Sequence, residues 1–391
     1  MISSQINIVL LLLVGLFLVS CETESQVVSQ LSIYDLTFER NSKSESVGQF
    51  KIFIYPTSSK TITLTYKAID GTAKAGKDYF AENTSLTISP EQSEAIIEVR
   101  ISPDSTRAAD QKFSIELISA DNATITERKI AVCTIKNTGT YLNDEATGYE
   151  AATSYPGKTK VWSEEFNGTE INSSVWSFDT GDSGWGNNEW QNYTTSKNNA
   201  FVSNGLLAIE ARIESLNPTK YTSARLKSIG KKSFTYGRID IRAKLPSGKG
   251  IWPALWMLGE NITSLSWPAC GEIDIMELLG HEPNKSYGTL HWGAKGGPST
   301  HVGGSHSLTN GNFSDQFHVF SIDWTSEKVD FLVDDIRYFT VPKTQVNGDY
   351  PFNKPFFFIL NVAVGGNWPG YPDYTTTFPQ RMLVDYIRVY Q

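Results

Sequence analysis

No stretch beyond residue 30 of this 391-residue chain carries a sustained helical period. Apolar and polar residues alternate instead, as in Thr61-Ile62-Thr63-Leu64-Thr65-Tyr66, Phe113-Ser114-Ile115-Glu116-Leu117 and Gly237-Arg238-Ile239-Asp240-Ile241-Arg242. A period of two is the signature of strands that bury one face. Turn residues such as Asp70-Gly71 and Ala75-Gly76 punctuate the runs. The chain is therefore expected to be all-β, built from antiparallel sandwiches.

The ten tryptophans divide it into modules. All of them (162, 176, 185, 190, 252, 256, 267, 292, 324, 368) lie after residue 160. Residues 30–138 read as one β-sandwich, 139–157 as a linker rich in Gly, acids and small residues, and 158–391 as a second sandwich. Strands in that second module are expected over 206–210, 237–242, 317–324, 329–333, 355–364 and 384–390. The net charge of −8, with no long Lys/Arg run, argues against a nucleic-acid partner. Three cysteines are too few for a disulfide framework, and Cys133 and Cys270 are expected as buried thiols.

Residues 1–20 contain an uncharged apolar run over 6–20, too short for a membrane span of ~20 residues and placed like a signal h-region. It ends in Leu18-Val19-Ser20-Cys21, which resembles a bacterial lipobox. The resemblance implies lipidation of Cys21, a tether over 21–29, and an exported lipoprotein of a double-membrane bacterium, at the outer membrane, cell surface or periplasm.

The chemistry concentrates in Gly271-Glu272-Ile273-Asp274-Ile275-Met276-Glu277. On a strand, Glu272 and Asp274 share a face while Ile273 and Ile275 point to the other. Strict alternation would turn Glu277 away; one extra residue in a β-bulge near Ile275-Met276 returns it to the face of the other two acids. Like charges crowded on one face destabilise a merely structural strand, and their repulsion raises at least one pKa. Two carboxyl groups flanking one bond are what glycoside hydrolysis requires. At about 3.3 Å per residue the two Glu Cα atoms would stand ~13 Å apart, and inward-leaning side chains would close the carboxylates to the ~5 Å of a retaining mechanism. No His-x3-His pair and no Ser–His–Asp context accompanies the five histidines.

Aromatic residues crowd the same region. Indole faces stack on the C–H faces of a pyranose, while Asn, Arg and His bond its hydroxyl rim. Trp252, Trp267 and Trp368 flank Gly/Pro loops near the acids and are read as groove residues; Trp162, Trp176 and Trp324 are read as core.

Two family resemblances follow. Asp70-Gly71-Thr72-Ala73, Ala75-Gly76-Lys77-Asp78-Tyr79, Phe113 to Leu117 and Thr134-Ile135 make residues 30–138 resemble a Calx-beta domain. Such domains can bind calcium through acidic loops. The matching loop here, 104–110, carries Arg107, and the closing Lys136-Asn137-Thr138 lacks acids, so a spacer is expected rather than a calcium site. Residues 158–391 resemble glycoside hydrolase family 16, within it the laminarinase group of endo-β-1,3-glucanases. That resemblance rests on Val161 to Phe166, Gly184 to Glu189, Thr222 to Arg225, Tyr236 to Arg238, Gly248 to Gly259, Trp267 to Glu277, Asn361 to Gly370 and Val384 to Gln391. It implies a concanavalin-like jelly roll with an open cleft, Glu272 as nucleophile, Asp274 as its helper and Glu277 as acid/base. It implies substrate contacts from Asn187, Arg225, Trp252 and Trp267, with His291 beside the acid/base, and Trp368 joins them as a groove residue; Arg238 is read as a structural ion pair. The implied substrate is a laminarin-like β-glucan, cleaved without a cofactor by a monomer. A structural calcium held by Glu165, Gly205 and Asp385 is the implied metal, with salt bridging as the alternative for Asp385. Agarases, porphyranases and carrageenases share the acid motif with its extra Met276, and a non-catalytic glucan-binding protein or a transglycosylase would also fit the fold.

Overall fold

The computed structural model describes residues 27–391 except 82–83, 109, 145 and 217–218. Met1 to Gln26, and with them Cys21 and the signal segment, lie outside the described residues. The chain forms two compact units, the first holding residues up to 36, 47–100 and 112–133, the second 37–46, 101–111 and 134–391.

Two five-stranded sheets organise the N-terminal sandwich. One runs in the order Tyr79–Phe80, Glu94–Ile101, Ser46–Tyr55, Gln30–Ile33, Thr124–Ile125; the other Leu36–Glu39, Ile130–Lys136, Gln111–Asp121, Ile62–Asp70, Ser85–Ile88. The alternation predicted from sequence is visible as alternating burial: in Ser46–Tyr55 every second residue from Gly48 to Ile54 is buried. Acids at the loop positions that resemble calcium sites have cationic partners. Arg40 reaches Asp104 at 3.3 Å and Lys136 reaches Asp110 at 2.7 Å.

The larger sandwich packs an eight-stranded sheet on a ten-stranded one. The first runs Ser177–Asp179, Arg225–Lys227, Phe356–Val364, Ile251–Gly259, Glu272–Leu278, Lys285–Trp292, Thr300–Ser307, with Ser233–Phe234 also on Phe356–Val364. In the second, Leu206–Leu216, Gln380–Tyr390, Gly237–Lys244, His318–Trp324 and Lys328–Val333 are neighbours in that order. Leu207, Ile209, Ile239, Ile241, Phe320 and Ile322 from one sheet meet Leu255, Met257, Ile273, Ile275, Phe358 and Leu360 from the other in one continuous core. Each such side chain contributes about 1.5–3 kcal/mol by leaving water. Trp176 and Trp324 are buried in this core, and Trp162 packs against it, as expected. Cys133 and Cys270 are buried free thiols.

Two elements differ from their sequence reading. Thr300–Ser307 (THVGGSHS) has a weak β signal yet pairs in register along all of Lys285–Trp292 and forms the edge of the eight-stranded sheet. Its place is set by that pairing rather than by propensity. The linker-like residues 139–157 are packed, not loose. Leu142 is buried among Phe201, Leu206, Ala208, Phe317 and Leu383, and the Arg242 guanidinium bonds the carbonyls of Ala146 and Tyr149. Leu206, Ala208 and Leu383 alternate with residues of the main core, so they present a second apolar face of the ten-stranded sheet, and this segment covers it.

Candidate active site

The strand Glu272–Leu278 lies inside the eight-stranded sheet, between Ile251–Gly259 and Lys285–Trp292. The bulge is where the spacing of the acids requires it. Ala254, Leu255 and Trp256 pair with Glu277, Met276 and Asp274, so Ile275 is the extra residue against that neighbour. On the other side Asp274 pairs with Thr289 and Glu277 with Tyr287. Ile275 and Met276 both enter the core, and Glu277 returns to the face of Glu272 and Asp274.

That face is the floor of a cleft of about 1100 Å³. The three acids, Asn187, Arg225, Trp252, Trp267, His291 and Trp368 all line it, so every expected catalytic and substrate-contact residue converges there. Each glutamate receives an indole. Trp267 Nε1–H donates to Glu272 Oε2 at 3.0 Å, and Trp252 Nε1–H donates to Glu277 Oε1 at 3.0 Å. His291 sits across the ladder from Glu272, with Nε2 at 3.3 Å from Asp274 Oδ2. It therefore stands beside Asp274 and Glu272, not only near Glu277. Trp252 and Trp368 meet edge to face at 5.6 Å, and Tyr287 meets Trp368 at 5.0 Å, forming an aromatic wall by Glu277.

Trp185, Asn187, Glu189 and Arg225 also line the cleft. The Arg225 guanidinium lies 4.9 Å from the Trp185 ring and 4.8 Å from the Trp256 ring, and pairs with Asp179 at 3.1 Å. Glu189 accepts from Asn187 Nδ2 at 3.1 Å and from Gln191 Nε2 at 2.6 Å. The Gly184-to-Glu189 turn that presents these groups needs left-handed backbone at Trp185 (φ 51°) and Asn188 (φ 57°). Arg238 is a structural ion pair with Asp240 at 2.8 Å, as read from sequence.

Sequence reasoning did not single out Trp256, Asn361, Tyr287 or His301 as lining groups. Trp256 donates through Nε1 to Asn361 Oδ1 at 2.8 Å, across neighbouring strands. The signal for Trp256 was present, since it is two residues of alternation from Ala254 on the acid-facing side; the others depend on strand pairing.

Comparison with known proteins bears on what such a cleft does. The family model "Glycosyl hydrolases family 16" matches residues 187–388, and "Calx-beta domain" matches 32–139. A beta-glucanase of Rhodothermus marinus is 44% identical over 243 residues, covering 59% of this chain and 84% of that protein. This chain belongs to glycosyl hydrolase family 16. The catalytic domain of an endo-1,3-beta-glucanase (laminarinase) from Thermotoga petrophila RKU-1 is similar with a TM-score of 0.57 at 49% identity, covering 60% of this chain and 98% of that one. A beta-1,3-glucan-binding protein of Penaeus monodon is 39% identical over 186 residues, 40% of this chain and 50% of that protein.

In this family 16 cleft all three acids are pushed upward. Burial pushes Glu272 well above the usual carboxylate range, and the neighbouring Asp274 adds to the shift. Asp274 is pushed up to about 8 by burial. Burial, then repulsion from Asp274, takes Glu277 to about 8. Three carboxyl groups with this little water around them hold fewer than three negative charges at neutral pH. One retained proton is what a general acid needs.

The expected calcium ligands are differently engaged. Glu165 is clamped by Arg388 at 2.9 and 2.8 Å, and Asp385 is bound by Arg242 at 2.5 Å. The salt bridge weighed for Asp385 forms, with Arg242 as its partner. Two carboxylates already neutralised by guanidinium groups do not fit a hard-cation site as they stand.

Proposed function

We propose that this family 16 glycoside hydrolase is a retaining endo-hydrolase of β-1,3-linked glucan of the laminarin kind. The observation that carries this reading is the bulged strand that puts Glu272, Asp274 and Glu277 on one cleft face, each glutamate fixed by its own indole. Glu277 protonates the glycosidic oxygen while Glu272 attacks the anomeric carbon. Asp274 lies between them on the same face, and its carboxylate charge, repelling that of Glu277, favours a retained proton on Glu277. Glu277, now ionised, takes a proton from water, which releases the sugar from Glu272 with net retention. The Trp267 N–H on Glu272 Oε2 leaves Oε1 as the attacking atom.

Laminarinases among its relatives and solved neighbours support the β-1,3-glucan substrate. A sulfated galactan would call for cations along the cleft. Among the described residues no lysine lines it, and the one lining arginine, Arg225, already has Asp179. Lys227 pairs with Asp179 and Lys231 bonds the carbonyls of Ser173 and Trp176. A glucan-binding role without hydrolysis does not require the acid pair, which is complete here. Reducing-sugar release measured in parallel on laminarin, mixed-linkage glucan, agarose and carrageenan tests the reading. Activity confined to a galactan would overturn the substrate, and binding of laminarin without release would overturn hydrolysis.

The N-terminal sandwich acts in this reading as a spacer, and the chain works as a monomer outside the cytoplasm, anchored by lipid on Cys21. Metabolic labelling with a radioactive fatty acid tests the anchor: label on the wild type and none on Cys21→Ser is expected.

A further inference from the structure

The sequence contains no His-x3-His pair, yet strand pairing assembles a set of ligands around the nucleophile. Glu272 faces His291 across the ladder, and Asp274 lies two residues along on the same face. His291 Nε2 is 3.3 Å from Asp274 Oδ2 and 3.9 Å from Glu272 Oε1. One ligand atom of each of the three lies within 4.8 Å of the other two.

Two further observations point into the gap between them. The Asp274 side chain is only 5% exposed, and its Oδ2 has no hydrogen-bond partner, although the imidazole nitrogen stands opposite. Nitrogen and oxygen face each other at ion-pair distance but without hydrogen-bond alignment, an arrangement that two ligands of one cation also adopt. The 3.3 Å between His291 Nε2 and Asp274 Oδ2 agrees, since bonds of about 2.1 Å at a tetrahedral angle put ligand atoms ~3.4 Å apart, and Glu272 Oε1, at 3.9 Å from Nε2, has to swing inward to complete the set. Among the described residues no lysine or arginine pairs with Glu272, Asp274 or Glu277, so the imidazole is the one basic group against three acids.

We propose that Glu272, Asp274 and His291 form a three-ligand site for a divalent transition ion of the zinc type, and that filling it switches hydrolysis off. One imidazole with two carboxylates suits Zn²⁺ or Cu²⁺, whereas Ca²⁺ and Mg²⁺ prefer an all-oxygen shell. The fourth position faces the cleft. Glu272 Oε2 is held by Trp267, so the ion takes Oε1, the oxygen assigned to attack. This regulatory role rests on the reading of Glu272 as nucleophile; the ion site does not.

The full chain, stripped with EDTA and dialysed, is titrated with ZnCl2 by calorimetry while laminarin hydrolysis is followed in parallel. One ion per chain is expected, with hydrolysis lost as the site fills and restored by EDTA. His291→Ala and Asp274→Asn are expected to bind zinc at least ~10-fold more weakly, and His301→Ala as the wild type does. Cobalt(II) on the wild type is expected to give a visible d–d band that laminari-oligosaccharide removes, a readout independent of any variant's folding. Absence of saturable binding up to millimolar zinc, absence of the cobalt band, or undiminished binding in both His291→Ala and Asp274→Asn would overturn the site. Hydrolysis unchanged at saturating zinc would overturn the switch. Zinc binding by a chain that hydrolyses no glucan would support the ion site and sink the hydrolytic reading instead.

Discussion

The indole N–H of Trp252 donates to Glu277 Oε1 at 3.0 Å, from the strand next to the acid's own. A hydrogen bond to the carboxylate favours its ionised form, so it opposes the upward push of burial and of Asp274. Trp252→Phe keeps an aromatic face toward the sugar and removes the donor. The basic limb of the kcat/KM profile is expected to move to higher pH, with kcat reduced roughly 10-fold, as for loss of a general-acid contact. A pH profile on laminarin that keeps its limb in place would show that the indole only packs.

The second test concerns chemistry at Glu272. Glu272→Ala is expected to abolish hydrolysis, and azide to rescue it with a glycosyl azide of inverted configuration, since the small anion enters from the face the carboxylate used. Nuclear magnetic resonance of the product reads the anomer. Full activity of the variant would remove Glu272 from the mechanism.

Burial of the acids links pH to stability. Asp274 and Glu277 have folded-state pKa values raised to about 8, against 3.8 and 4.5 as their ordinary values. The native state therefore holds protons that the unfolded chain has released, and stability falls as pH rises between about 4 and 8. Each such group contributes at most about 1.4 kcal/mol per pH unit within that window. Asp274→Asn is expected to raise Tm relative to wild type at pH 8 and by much less at pH 5. Equal shifts at both pH values would contradict the charge argument.

Deletion of Met276 tests the bulge. The strand would then read Glu272-Ile273-Asp274-Ile275 followed directly by the glutamate, and plain alternation keeps that acid on the cleft face. Met276 is fully buried, so its loss is expected to cost roughly 2–5 kcal/mol, as large-to-small core changes do. Denaturant titration should show that loss while reducing-sugar release remains measurable. Complete inactivity of the folded variant would mean that the bulge, and not only the face, sets the acid's position.

Much of this site was legible in the chain because its logic is local. A strand's period of two decides which side chains share a face, and three acids at that spacing admit only one phase correction, which the Ile275-Met276 bulge supplies. The apolar residues between them declared the opposite face as core. Family motifs carried Asn187, Arg225, Trp252, Trp267 and His291 to the same cleft, and alternation with Gly/Pro flanks carried Trp368. Where the reading went astray, composition stood in for contacts: residues 139–157 look like a linker but cover a second apolar face whose existence depends on the alternation of another strand.

From sequence alone came the all-β class, the modules, the acid face and the family resemblance, because alternation, turn chemistry and motif order are written residue by residue. Only the tertiary structure decided which indole holds which glutamate, that His291 stands against Asp274, and that arginines claim Glu165 and Asp385. Those relationships join residues on different strands, and the register that brings them together is set by sheet pairing and core packing across many residues rather than by any local pattern.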